Sequence, residues 1–211
     1  MTLLENMIRN ILFDMGGVIF RQTTKEAVRR FAEAGIDTEK YMGEHGQKGF
    51  FLDIETGRID TDEFCRTMAE ESHRESVTYE EAEYCWLGFV GEVRREYLDC
   101  LTRLKESYHL CLLTNTNPFI MNYMRSSRFC AEGKPISDYF YKLYCSYEMQ
   151  LYKPHPDFFR HVLEAEGMKA DESLFIDDSI KNVRGAEAVG IHGLHVQQNE
   201  DWTPLVSCLV V

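Results

Sequence analysis

Three stretches of this chain are apolar without alternation, and each stops abruptly on polar residues. Ile11, Leu12 and Phe13 run into Asp14, pass two glycines at 16 and 17, and resume as Val18, Ile19 and Phe20. Leu110, Cys111, Leu112 and Leu113 run into Thr114 and Asn115, and Leu174, Phe175 and Ile176 run into Asp177 and Asp178. Unbroken apolar runs of this length suit strands covered on both faces, the condition of a central parallel sheet; half-exposed strands alternate instead. Shorter strands are expected at 143–146 and 193–196. Helical patterns fill the gaps at 97–105, 119–124, 156–166 and from Asp178 to about Val189, with Pro156 opening and Gly167 closing the third. Strand and helix alternate through the second half of the chain, which predicts an α/β fold, a doubly wound, mainly parallel sheet with right-handed crossovers.

Residues 22–95 break that alternation. A helix over 25–34 sets Ala27, Val28, Phe31 and Ala32 on one stripe and stops at Gly35. The stretch 41–51 mixes three glycines with aromatic residues and reads as a loop or broken helix. Asp60 with Glu63, and Thr78 with Glu81, have the spacing of capping boxes ahead of two further helices. Their apolar residues, Phe64, Met68, Tyr84, Trp86, Leu87 and Val90, are assigned to packing. The expected organisation is an α/β core domain made of 1–21 and 96–211, with a helical cap domain, 22–95, inserted after the first strand. The apolar tail at 205–211 is either an edge strand or packing.

With 211 residues, 44% of them hydrophobic, the chain supports one well-buried core and an elaboration of it. A formal charge of −12 disfavours nucleic acid and anionic membrane as partners, because both need an excess of Lys and Arg. It leaves room for a small anionic substrate if a bound metal reverses the local field. No apolar run reaches the roughly 18 residues of a membrane span, and the first five residues lack the pattern of a signal peptide. Seven cysteines form no Cys-x-x-Cys pair and are odd in number. Reduced thiols, a cytoplasmic location, and a monomer or weak dimer are the expectations.

In an open α/β sheet the ligand crevice lies beyond the carboxyl ends of the strands, and here those ends carry Asp14, Thr114, Asn115, Asp177 and Asp178. Carboxylates gathered in one crevice repel unless protons or a cation intervene, and an all-oxygen set favours Mg²⁺ over zinc. Lys153, just before a proline-opened helix, offers a compact ammonium to a phosphate oxygen or to a carboxylate that must stay ionised. In the insertion, His45 and Lys48 are candidates for substrate contact. Histidine titrates near neutrality, and a lysine suits an anionic or hydroxylated ligand; Phe50 and Phe51 beside them are expected to pack.

Phe13-Asp14 with Gly16, Gly17 and Val18, then Leu113-Thr114-Asn115, Lys153-Pro154, and Ile176-Asp177-Asp178-Ser179 with Asn182, resemble, in order, the four motifs of the haloacid dehalogenase superfamily. The insertion is similar to that family's small helical cap. Thr114 to Asn117, the Lys153-Pro154 motif, and Glu55, Gly57 and Ile59 resemble the branch containing glucose-1-phosphate phosphatases. The resemblance implies a Rossmann-like hydrolase core and a Mg²⁺-dependent phosphatase of a small phosphorylated metabolite. On that resemblance sugar phosphates would be preferred, glucose 1-phosphate among them, and the reaction would pass through an aspartyl-phosphate on Asp14. It further implies Mg²⁺ on the Asp14 carboxylate, the Gly16 carbonyl and Asp178, with Asp177 direct or through water. Thr114 and Asn115 would bind phosphoryl oxygens, Lys153 would neutralise charge, and Asn182 would support the site.

One departure matters. Most phosphatases of the superfamily carry a second aspartate two residues after the nucleophile, which protonates the leaving oxygen and later activates water; this chain has Gly16 there. Either a leaving group of low pKa, such as an anomeric hydroxyl, or a cap residue such as His45 then has to compensate. Two other readings stay open. A metal-independent 2-haloacid dehalogenase also lacks that aspartate, although the Asp177 and Asp178 pair stands against it. A non-catalytic protein that binds a phospho-ligand or a partner is the other, and Gly16 favours it.

Overall fold

The computed structural model describes residues 8–43 and 46–207. The first described element is β1 (Asn10–Phe13), and the chain leaves the sheet through β2 (Phe20–Gln22). The insertion then runs through α1 (Thr24–Glu33), α2 (Thr38–Tyr41), a small ribbon of β3 (Met42–Gly43) and β4 (Gly46–Gln47), α3 (Phe50–Glu55), α4 (Thr61–Glu71) and α5 (Tyr79–Trp86). It returns through β5 (Val90–Val93) and α6 (Arg95–Lys105) to β6 (His109–Thr114), α7 (Pro118–Met124), β7 (Lys142–Cys145) and α8 (Ser146–Met149). Last come α9 (Pro156–Glu166), β8 (Ser173–Asp177), α10 (Ile180–Glu187), β9 (His192–His195) and α11 (Thr203–Ser207).

Five strands form one parallel sheet in the order β7-β6-β1-β8-β9, which puts β1 at its centre. Phe13 pairs with Leu112 on one side and Ile176 on the other, so Asp14, Thr114 and Asp177 come out at the same sheet edge. Successive side chains point to opposite faces, and the strands are apolar on both. Ile11, Phe13, Leu112 and Ile176 face one core together with the insertion, while Leu12, Leu113 and Phe175 face a second core under α9 with Phe158, Phe159 and Val162. The continuous apolar runs of the sequence are therefore the trace of two covered faces. Among the described residues no helix is long and apolar enough to cross a membrane.

The insertion leaves and rejoins the sheet through an antiparallel ribbon, in which Phe20 pairs with Val93 and Gln22 with Val90. Its interior is aromatic: Phe31, Phe51, Phe64 and Trp86 pack at tilted or edge-on angles, with centroid distances such as 4.7 Å between Phe31 and Phe51 and 5.1 Å between Phe51 and Trp86. Phe64 also meets Phe119 of α7 at 5.3 Å, which joins this interior to the sheet core. The Thr78 capping box forms in both directions, and Asp60 accepts from the Glu63 amide. Two expectations change. The 41–51 stretch is the end of a helix, a ribbon and a new helix, because Gly49 takes a positive φ of 54° and the burial of Phe50, Phe51 and Ile54 outweighs poor local propensity. The tail is no edge strand over its described part: α11 packs Val206 inward behind Trp202, which lies 5.1 Å from Phe13. Residues 208–211, including Cys208, lie outside the described residues.

Candidate active site

Asp14 follows directly on β1, and its amide donates to the Ile176 carbonyl at 2.8 Å, so the strand geometry itself fixes where the carboxylate starts. Lys153 reaches it from below. The ammonium is 1% exposed and donates to Asp14 Oδ1 at 2.7 Å, Asp177 Oδ2 at 2.9 Å and the Leu113 carbonyl at 2.7 Å. All three of its protons are thereby used. The segment carrying Lys153 is gripped by Asn115, whose Oδ1 accepts from the Lys153 amide and whose Nδ2 donates to the Lys153 carbonyl, both at 2.9 Å. Asp177 is wholly buried. It also accepts from the Ser179 amide at 2.7 Å and from Asn182 Nδ2 at 3.0 and 3.2 Å.

The carboxylates of Asp14, Asp177 and Asp178 offer oxygens that all lie within 4.8 Å of one another. Burial pushes the Asp14 carboxyl up to about 7; Lys153 opposes the shift, and the charges of Asp177 and Asp178 add to it. Asp178 is pushed up to about 6, first by burial and then by Asp177. Burial works against the charge on Lys153 as well, but Asp14 and Asp177 outweigh it and raise its pKa above the ordinary value. One ammonium thus faces three acids, and a divalent cation bound to oxygen ligands would balance the remainder. The donor set fits such an ion, being all oxygen with no thiol or imidazole. The turn is closed against it too: a Cβ on Gly17, whose φ is +77°, would come within 2.4 Å of Asp178 Oδ2.

Above the sheet edge lies a cleft that opens to solvent. Asp14, Gly16, Thr114, Asn115 and Lys153 line its sheet wall, and Gln47, Glu55, Trp86 and Phe89 of the insertion line the wall opposite. The Thr114 hydroxyl makes one long bond, 3.4 Å to the Asn115 carbonyl. The helical wall is different in kind, since Trp86 Nε1 and Gln47 Oε1 are buried with no hydrogen-bond partner among the described residues, as is Thr116 Oγ1 at the floor. Glu55 is 7% exposed, and among the described residues its carboxylate accepts one hydrogen bond, at 2.8 Å from the Tyr152 hydroxyl. Burial pushes its carboxyl up to about 7, against the Tyr152 hydrogen bond.

The structure brings together Asp14, Gly16, Thr114, Asn115, Lys153, Asp177 and Asp178, with two refinements. The Asn115 side chain holds the Lys153 segment instead of standing free for a phosphoryl oxygen, and Asp177 is saturated by protein donors and anchors Lys153 and Asn182. Lys48 does not join them: it is exposed, outside the residues that line the cleft, because the two-residue strand β4 turns Gln47 inward and the next side chain out. His45 lies outside the described residues. Gln47 carried no sequence signal, and Trp86 was assigned to packing because its apolar surroundings at helical spacing conceal one indole N–H turned to the cleft. A second group, His109, Cys111 and Glu166, is close enough for a metal. Glu166 is already bonded to His109 and Tyr144, and burial pushes the Cys111 thiol up to about 12, so this group reads as structural.

Comparison with known proteins gives a consistent result. The chain is 38% identical over 197 residues to the D-ribitol-5-phosphate phosphatase of Bacteroides thetaiotaomicron, covering 93% of this chain and 95% of that protein. It superposes with a TM-score of 0.91 on a structure described as a predicted HAD-like family hydrolase from Porphyromonas gingivalis, 38% identical, covering 96% of this chain and 98% of that one. A HAD family enzyme of Bacteroides thetaiotaomicron in complex with magnesium and inorganic phosphate is 32% identical, with a TM-score of 0.86 over 94% of this chain and 98% of that one. Residues 8–190 match the model of the haloacid dehalogenase-like hydrolases, and with the Asp14, Thr114, Lys153 and Asp178 geometry in place the chain belongs to that family.

Proposed function

We propose that this protein is a Mg²⁺-dependent phosphatase of small polyhydroxylated phosphate esters, a sugar or sugar-alcohol phosphate, acting through Asp14. The observation that carries this reading is the Lys153 bridge. It fixes one oxygen of Asp14 and leaves Oδ2 toward a cleft that Thr114 also lines. A carboxylate aimed by a strand, beside an ammonium that favours its ionised form against the effect of burial, is a prepared nucleophile. Asp14, Asp178 and the Gly16 carbonyl would hold Mg²⁺, which supplies positive charge for the phosphoryl oxygens. Lys153 and the Thr114 hydroxyl do the same work from the protein side, where charge develops in phosphoryl transfer. The insertion roofs the cleft and excludes water.

The unpaired Gln47 Oε1 and Trp86 Nε1 support a hydroxylated substrate. A buried donor or acceptor without a partner costs about 1–3 kcal/mol, and a substrate hydroxyl serves either. The relationship to a D-ribitol-5-phosphate phosphatase supports the same class. Release of inorganic phosphate should be measured on a panel containing D-ribitol 5-phosphate, glucose 1-phosphate, a nucleotide and a phospho-acid, with Mg²⁺ or EDTA. Metal-dependent turnover that favours the polyhydroxylated members is expected. Turnover of none of them, or turnover indifferent to the metal, would overturn the reading.

A further inference from the structure

Phosphoryl transfer to Asp14 needs a proton for the leaving oxygen, and position 16 has no side chain to give it. The space beside that position is filled by a neighbouring side chain. A Cβ on Gly16 would stand 2.8 Å from Gln22 Oε1, so the Gln22 amide already occupies the space. The main chain of Gln22 is tied down, its backbone N–H donating to Asn199 Oδ1 at 2.8 Å and its backbone carbonyl accepting from Asn199 Nδ2 at 3.3 Å. An amide side chain neither gives nor takes a proton near neutrality. Among the described residues that line the cleft, the carboxyl groups are Asp14 and Glu55, and Asp14 is committed as nucleophile.

Resting on the proposed phosphatase reading, we propose that Glu55 of the helical insertion is the general acid and base of the reaction. Glu55 ends α3, where Phe50, Phe51 and Ile54 pin the helix and Ser146 Oγ donates to the Glu55 carbonyl at 2.6 Å. That bond ties the backbone of the insertion to the sheet side at the residue concerned. Tyr152, next to Lys153 in the chain, donates to Oε2 at 2.8 Å and leaves Oε1 with no partner among the described residues. Other titratable groups on the elements packed around it are turned elsewhere. Tyr147 and Glu148 of α8 engage Arg125, Cys65 of α4 donates to the Thr78 carbonyl, and Asp14 and Lys153 stand across the cleft. Its carboxyl, pushed up to about 7 by burial, exists in both forms near neutral pH, as a residue that must act first as acid and then as base requires.

In the first step Asp14 attacks phosphorus, the ester P–O bond breaks, and the leaving oxygen takes the Glu55 proton to depart as a neutral alcohol. In the second, the Glu55 carboxylate takes a proton from water as the water oxygen attacks phosphorus. The Asp14–phosphorus bond breaks, inorganic phosphate forms, and Glu55 is an acid again.

Dependence on the leaving group distinguishes this role from substrate binding. Glu55→Gln keeps the size and an acceptor for Tyr152 but has no acid proton. For wild type, E55Q and D14N, kcat and kcat/KM should be measured with p-nitrophenyl, phenyl and propyl phosphate, none of which has a hydroxyl for a binding role to read. E55Q is expected to lose about 10²- to 10⁴-fold in kcat/KM on propyl phosphate and less than about tenfold on p-nitrophenyl phosphate, whose phenolate leaves unaided. Its kcat should fall on all three esters, with a burst of p-nitrophenol, because the second step has lost its base. Tyr152→Phe keeps the acid but removes the bond that favours its charged form, so the alkaline limb of kcat/KM on propyl phosphate should move up by about half a pH unit to one unit. Equal losses in kcat/KM on all three esters, or no loss in kcat/KM on any, would overturn the assignment while the phosphatase stands. Turnover that persists in D14N would instead remove the reading on which the assignment rests.

Discussion

The two walls of the cleft differ in how their polar groups are satisfied. On the sheet wall the side chains hold one another: Lys153 bonds Asp14, Asp177 and Leu113, Asp177 bonds Ser179 and Asn182, and Asn115 clasps the main chain of Lys153 from both sides. On the helical wall, among the described residues, Gln47 Oε1 and Trp86 Nε1 have no partner, and the Glu55 carboxylate has one. A preorganised wall suits a group that never varies, the phosphoryl, since nothing need rearrange as charge develops. An unsatisfied wall suits the group that distinguishes substrates, because a ligand that completes it gains what the free protein lacks.

Breaking the sheet wall should be the costlier insult. Lys153→Met leaves Asp14 and Asp177 buried without their cation, and we expect about 3–5 kcal/mol of lost stability in urea unfolding together with loss of phosphate release. A variant as stable as wild type would mean that the network does not hold this edge of the sheet.

The acids of the cleft and of the metal site should also reveal their strain through pH. Asp14, Glu55 and Asp178 have folded-state values of about 7, 7 and 6, above ordinary values of 3.8, 4.5 and 3.8. Between pH ~4 and ~7 the folded chain therefore binds more protons than the unfolded one, so these groups make the metal-free protein less stable as pH rises through that window. Calorimetry in EDTA should show the melting temperature falling from pH 5 to pH 8, and Mg²⁺ restoring it at pH 8. Asp178→Asn should melt above wild type in EDTA at pH 8 and yet release no phosphate.

A smaller effect follows from Asn115→Ala, which removes two hydrogen bonds to the Lys153 segment. About 1–3 kcal/mol of stability should go, with kcat falling more than KM rises, because Lys153 is displaced rather than deleted. Least disruptive of all should be Gln47→Leu on the helical wall. Its stability should stay within about 1 kcal/mol of wild type, since the atom removed had no partner to lose.

The same contrast explains what the sequence discloses. Asp14, Thr114 and the acids at 177 and 178 are legible because each ends an apolar run, and a parallel sheet delivers strand ends to one edge. Lys153 and Asn182 are legible through motif spacing. The use of Asn115 as a clasp is not, because the partner is main chain 38 residues away and no local pattern records it. Gln47 and Trp86 are hidden for another reason. Their stretch is a short ribbon and an aromatic interior, in which packing sets the residue types and a single polar atom marks the cleft. The 41–51 segment misleads similarly, since tertiary burial of Phe50 and Phe51 builds a helix where glycines locally argue against one.

The most direct test crosses one substitution from each wall with two substrates, a sugar-alcohol phosphate and p-nitrophenyl phosphate, in the presence of Mg²⁺. Asp14→Asn should abolish turnover of both. Gln47→Leu should raise KM about tenfold for the sugar-alcohol phosphate and leave p-nitrophenyl phosphate unchanged. Turnover that survives in Asp14→Asn, or a Gln47→Leu defect of equal size on the two esters, would contradict the division of labour between the walls.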